Sequence, residues 1–111
     1  MIRRAALSVL AAAALGASTV PAFANCYEII GCDDSQRFTP AGLRQLGCQQ
    51  LWEVRNMIYK QNGYCFATSL AIATFGNEGC FITSQSAVRL NAHERFNVKA
   101  IQKMEARKGC R

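Results

Sequence analysis

CQQLWEVRNMIYKQNG, residues 48–63, is the stretch on which the fold turns. Leu51, Trp52, Arg55, Ile58 and Tyr59 recur three and four apart, the spacing that gathers side chains on one face of an α-helix. Gly63 follows, a residue suited to the left-handed conformation that stops a helix. The pattern predicts a helix over about 48–62. A second helix is written near the end of the chain. Asn91, with Glu94 three residues on, reads as a capping-box start, and Phe96, Ala100, Ile101 and Met104 supply an apolar stripe that Gly109 closes. This predicts a helix over about 92–108.

Between and before them the signals are shorter. Thr39-Pro40 starts a helix that Gly42 and Gly47 weaken, and Thr68 or Ser69 can cap a brief one across Leu70 to Phe75. Cys80 to Leu90 reads as irregular, with at most one strand-like piece, and residues 25–42 as an irregular, looped N-terminal arm. The predicted fold is mainly α: a small helical domain over 43–111, stapled by disulfides, with two principal antiparallel helices.

The first 24 residues do not count toward it. Arg3 and Arg4 precede an uncharged apolar run from Ala5 to Leu15, and Ala22-Phe23-Ala24 places small residues where a signal peptidase reads. The run is about half the length a bilayer-spanning helix needs. Residues 1–24 therefore read as a signal peptide cleaved after Ala24, with no transmembrane segment left behind and a periplasmic or secreted destination. Asn25 and Phe23 fit poorly with lipid attachment at Cys26. The 87 residues that remain exclude a multidomain chain.

Export decides the reading of the cysteines. Cys26, Cys32, Cys48, Cys65, Cys80 and Cys110 are an even set in an oxidising compartment, which favours disulfides. No closely spaced Cys or His pair suggests a metal, and His93 is the only histidine. Fifteen pairings are possible in principle. If the two helices run antiparallel, Cys48 at the start of one meets Cys110 beyond the end of the other. Cys65 and Cys80 flank the short helix, leaving Cys26 with Cys32. The competing arrangement exchanges partners between these last two pairs.

The same register bears on Arg55, a charge on an otherwise apolar face. A guanidinium there requires a carboxylate. A Cys48–Cys110 clip sets residue 55 level with about residue 103, within a turn of Glu105, and predicts an Arg55–Glu105 ion pair. The alternative is that Arg55 serves as an anion-binding finger in a cleft.

Charge is uneven along the chain. Residues 25–91 balance five basic against five acidic side chains, whereas residues 92–111 hold six and two and so carry the whole +4 of the exported part. Arg95, Lys99, Lys103 and Arg107 recur every four residues, a slowly drifting basic stripe that Lys108 and Arg111 extend. It is either a solvated face or a docking surface for anionic groups of the cell envelope. Aromatic residues do not interleave with it, so sequence-specific nucleic-acid recognition has no support. Catalytic signals are thin. His93 sits in the first turn of the second helix, no Ser/His/Asp set can be assembled, and the adjacent Asp33 and Asp34 are unsuited to facing one cleft together. No cofactor motif is present, and no enzyme is expected.

At Leu51 to Tyr59, Gly63 to Phe66, Phe75 to Asn77, Leu90 to Val98, and again at Ile101 and Glu105, the chain resembles the YARHG domain, a small exported bacterial module. The likeness spans about residues 43–110. Tyr59 and Gly63 match the signature, while Lys60, Gln61 and Asn62 replace its Ala, Arg and His. Any role the family gives those two side chains is absent here. The resemblance implies a compact, mainly helical domain in an envelope or secreted setting, and it brings no established catalytic activity with it. The matched Arg55, Asn56, Tyr59 and Gly63 look structural. Together these readings point to an exported, non-catalytic binding or structural module of the bacterial cell envelope, whose partner is an anionic envelope component or another exported protein. Other readings are a secreted inhibitor or toxin-like factor, and a small hydrolase whose site is not visible.

Overall fold

In the computed structural model, which describes residues 25–111, the long helices form where the periodicity places them. The expected leader, 1–24, lies outside the described residues. A two-residue hairpin opens the chain, with β1 (Cys26–Tyr27) antiparallel to β2 (Gly31–Cys32). Then come α1 (Pro40–Arg44), α2 (Cys48–Gln61), α3 (Ser69–Phe75), one 3-10 turn (Gln85–Ala87) and α4 (Ala92–Arg107). The protein is mainly α, with three disulfides.

Side-chain caps set the helix starts. The Thr39 hydroxyl accepts from the Gly42 N–H at 3.1 Å, with Pro40 leading α1. Thr68 does the same for Ala71 ahead of α3. Asn91 and Glu94 exchange two bonds of 2.8 Å at the head of α4, satisfying amides that a helix start otherwise leaves unpaired.

Three ties fix α2 antiparallel to α4. A disulfide joins Cys48 to Cys110 at one end, and Asn62 Nδ2 donates to Glu94 Oε2 at 3.1 Å at the other. Midway, Arg55 holds Glu105. Between the helices lie Leu51, Val54 and Ile58 from α2 and Val98, Ile101 and Met104 from α4, all buried. Burying each such side chain is worth about 1.5–3 kcal/mol before the entropy of ordering it is counted.

The arm is more ordered than an irregular lead-in. Ile30, Phe38, Leu43 and Leu46 belong to the same core, so packing runs unbroken across the 42/43 boundary. Asn97, fully buried on α4, ties the arm by hydrogen bonds. Its Oδ1 accepts from the Phe38 N–H at 2.8 Å, and its Nδ2 donates to the carbonyls of Asp33 (2.9 Å) and Gln36 (2.8 Å).

The inner stripe of α4 differs from the predicted one. Glu94, Asn97, Val98, Ile101 and Met104 are its buried residues, and Phe96 is 39% exposed. At about 100° per residue, position 96 falls on the same side as 99, 103 and 107, away from Ile101. Two buried polar residues in the true stripe, Glu94 and Asn97, mask the apolar pattern.

From Tyr64 to Leu90 the chain makes an excursion. Cys65–Cys80 closes it, the backbone bridges Tyr64 to Ile82, and the Phe81 ring lies over Gly63, where a Cβ would come within 2.4 Å of it. Gly63 also has φ +92°, so glycine is required on two counts. Among the described residues, no helix is long and apolar enough to cross a membrane.

Candidate functional site

The basic stripe divides. Lys99, Lys103 and Arg107 stand along one wall of a groove between α1 and α4, about 6 Å of helix rise apart. The groove has a volume of about 360 Å³. Phe38, Leu43 and Met104 form its floor and are nearly inaccessible, so its base is the outside of the core itself. Phe96 stands at its edge, with the Arg37 guanidinium carbon 4.5 Å above the ring centroid. At the far end Lys108 Nζ donates to the Arg44 carbonyl at 2.8 Å, tying the end of α4 to the end of α1.

Arg95 stands apart from the other three. Its guanidinium donates to the Leu90 carbonyl at 2.6 Å, and it lines a more open polar depression with Tyr59, Arg89 and Ser86. The cause is rotational drift, since four residues turn the helix by about 400° and each member of the stripe is displaced by about 40° from the last. A third groove, near 470 Å³, runs between the hairpin, α2 and Phe75, and its charged lining residues, Glu28 and Glu53, are acidic.

Arg55 occupies none of these. Its Nε and Nη2 donate to the two Glu105 oxygens at 2.8 and 3.1 Å, a two-point contact between side chains that are 21% and 14% exposed. Bidentate pairing of this kind holds both side chains in one geometry and takes Arg55 out of the supply of free anion donors. His93 is partly buried in the first turn of α4 and lines none of the three grooves.

Asp33 and Asp34 part company. Asp34 is exposed, whereas Asp33 is fully buried beneath the hairpin. The Tyr27 hydroxyl donates to Asp33 Oδ2 at 3.1 Å, and Oδ1 has no partner. Burial pushes the Asp33 carboxyl up to about 7. The Tyr27 hydrogen bond opposes that shift, and the nearby Asp34 and Glu94 charges add to it. Burial and the Asp33 charge likewise raise the Tyr27 phenol well above its usual value. Asp33 was not visible as a buried residue from its Asp-Asp-Ser setting. A polar residue at position 97, three before Ala100 and four before Ile101, was the one available sign that the arm is pinned from α4.

The sequence profile of the YARHG domain matches residues 26–106. The chain belongs to the YARHG domain family. The match begins at Cys26, so the hairpin and arm lie within the YARHG domain, as their packing against α4 requires. No curated protein and no solved structure matches the chain. YARHG domains are small and of extracellular type, and the three disulfides are compatible with export.

Proposed function

We propose that this YARHG domain is an exported, non-catalytic binding module that docks on an anionic component of the bacterial cell envelope through the outer face of α4. The supporting observation is the α1–α4 groove, in which every charged lining residue is a cation: Lys99, Lys103 and Arg107. The Asp33 carboxyl, the one strongly shifted acid, is fully buried and held by the partly buried Tyr27 of β1, away from this groove. The signal-like leader and the disulfides support a periplasmic or secreted setting.

Sedimentation with vesicles tests the reading. The oxidised protein is expected to bind phosphatidylglycerol vesicles and to ignore phosphatidylcholine ones, with binding that weakens as salt rises. Each cation near an anionic surface is worth about 1 kcal/mol, so Lys99→Glu with Lys103→Glu should cost at least about 30-fold in affinity. Arg95→Glu should cost less, since Arg95 lies outside the groove. Equal binding by the wild type and the double variant would contradict the proposal, as would no binding to any anionic surface.

A further inference from the structure

We infer that the α1–α4 groove binds the hydrocarbon chain of a single-chain anionic amphiphile, with its phosphate or carboxylate head held by Lys99, Lys103 and Arg107. The inference rests on the docking surface proposed above and adds the nature of what enters it.

Polar surfaces need only the cations, yet the cations here flank an apolar trough. Phe38, Leu43 and Met104 line its floor, and all three are fixed by the core. The volume of about 360 Å³ sits at the lower end of the range for small-ligand sites. Two backbone donors that a strand could use are not available beside it. The Phe38 N–H is taken by Asn97 Oδ1, and Pro40 has none. An extended peptide would therefore find no strand edge to pair with. Alkyl groups make no such demand. Phe96 is the one large apolar side chain that α4 exposes, and it stands beside the cations. Its ring forms the side of the trough, and the Arg37 guanidinium stacks on that ring. Charge complementarity and an apolar floor together describe an amphiphile with one acyl chain.

Titration calorimetry of the oxidised protein with hexyl, octyl and decyl phosphate, each below its micelle-forming concentration, is the test, with decanoate and neutral octyl glucoside as further arms. Insertion of the chain predicts that each added methylene tightens binding about fourfold. Octyl glucoside should bind at least about tenfold more weakly than octyl phosphate, and comparison of decyl phosphate with decanoate identifies the preferred head. Ala100→Trp fills the trough and should abolish the chain-length dependence. Phe96→Ala, at an exposed position that leaves the core intact, should weaken decyl phosphate binding at least about fivefold, the loss of roughly 1 kcal/mol of apolar contact. Affinity independent of chain length, with phosphatidylglycerol vesicles still bound, would overturn the inference and leave the docking surface standing. Failure to bind either would remove both. Tighter binding of an acidic amphipathic peptide than of decyl phosphate would also overturn it, in favour of a helical partner.

Discussion

Between Tyr64 and Leu90 only Phe66 and Ala71 are buried, while α2 and α4, with about as many residues, bury Leu51, Val54, Ile58, Val98, Ile101 and Met104. The excursion is held by other means. Cys65–Cys80 closes it, and the Asn77 side chain clamps Phe66 by accepting from its N–H (2.8 Å) and donating to its carbonyl (3.1 Å). Rings at Trp52, Phe75, Phe66, Tyr64 and Tyr59 lie against one another in sequence, with centroids 5.1–6.0 Å apart. One half of the domain owes its shape to a core, and the other to a cross-link and a row of aromatic contacts at its margin. The basic groove lies on the half with the core, where the supporting side chains are fixed and a binding surface keeps its form.

The largest effect should come from the tie that spans the core half. Replacing Cys48 and Cys110 with Ser opens a loop of sequence separation 62, which the chain-entropy relation values at about 4 kcal/mol. Against a total of about 5–15 kcal/mol for a domain, urea unfolding should register a large fall in midpoint. Asn97→Ala should cost about 3 kcal/mol by the same measurement, because it leaves the Phe38 N–H and two carbonyls without their partner. A loss under 1 kcal/mol would show that the arm is held by its apolar residues alone. Glu105→Gln should cost about 2 kcal/mol, the consequence of leaving Arg55 mostly buried and unpaired, and Arg55→Met in that background should recover part of it.

The smallest effect concerns pH. An Asp33 carboxyl raised from its ordinary value to about 7 favours the protonated folded state. Its stabilising contribution is complete below about pH 4, declines as pH rises, and levels off above the folded pKa. Between pH 6 and 8 the decline is about 1 kcal/mol, and Asp33→Asn should flatten it in thermal melts taken across that interval. A wild-type slope no steeper than that of the variant would show that Asp33 titrates as an ordinary carboxylate.

Legibility followed the same division. α2 and α4 could be read because their spacing and caps are local, and the antiparallel register follows once Cys48 faces Cys110. That register sets residue 55 level with about residue 103, within a turn of Glu105, and the structure has the Arg55–Glu105 ion pair. Hydrophobicity alone puts Phe96 on the inner face of α4, but Asn97 and Glu94, both polar, occupy the inward positions instead. The hairpin is not legible in the sequence, since two-residue strands carry no periodicity. Phe38 and Ile30 could not be placed in the core either, because a loop's burial depends on what it meets. For the basic stripe, a four-residue repeat was visible, but its drift, which separates Arg95 from the groove, is a matter of angle and packing.

The two halves are stabilised independently, and hydrogen exchange on a Cys65→Ser, Cys80→Ser variant tests this most directly. Amides of residues 64–82 should lose protection while those of α2 and α4 keep theirs, and phosphatidylglycerol binding should survive. Loss of protection throughout α2 and α4 would contradict the claim, because the excursion would then be part of what holds the core together.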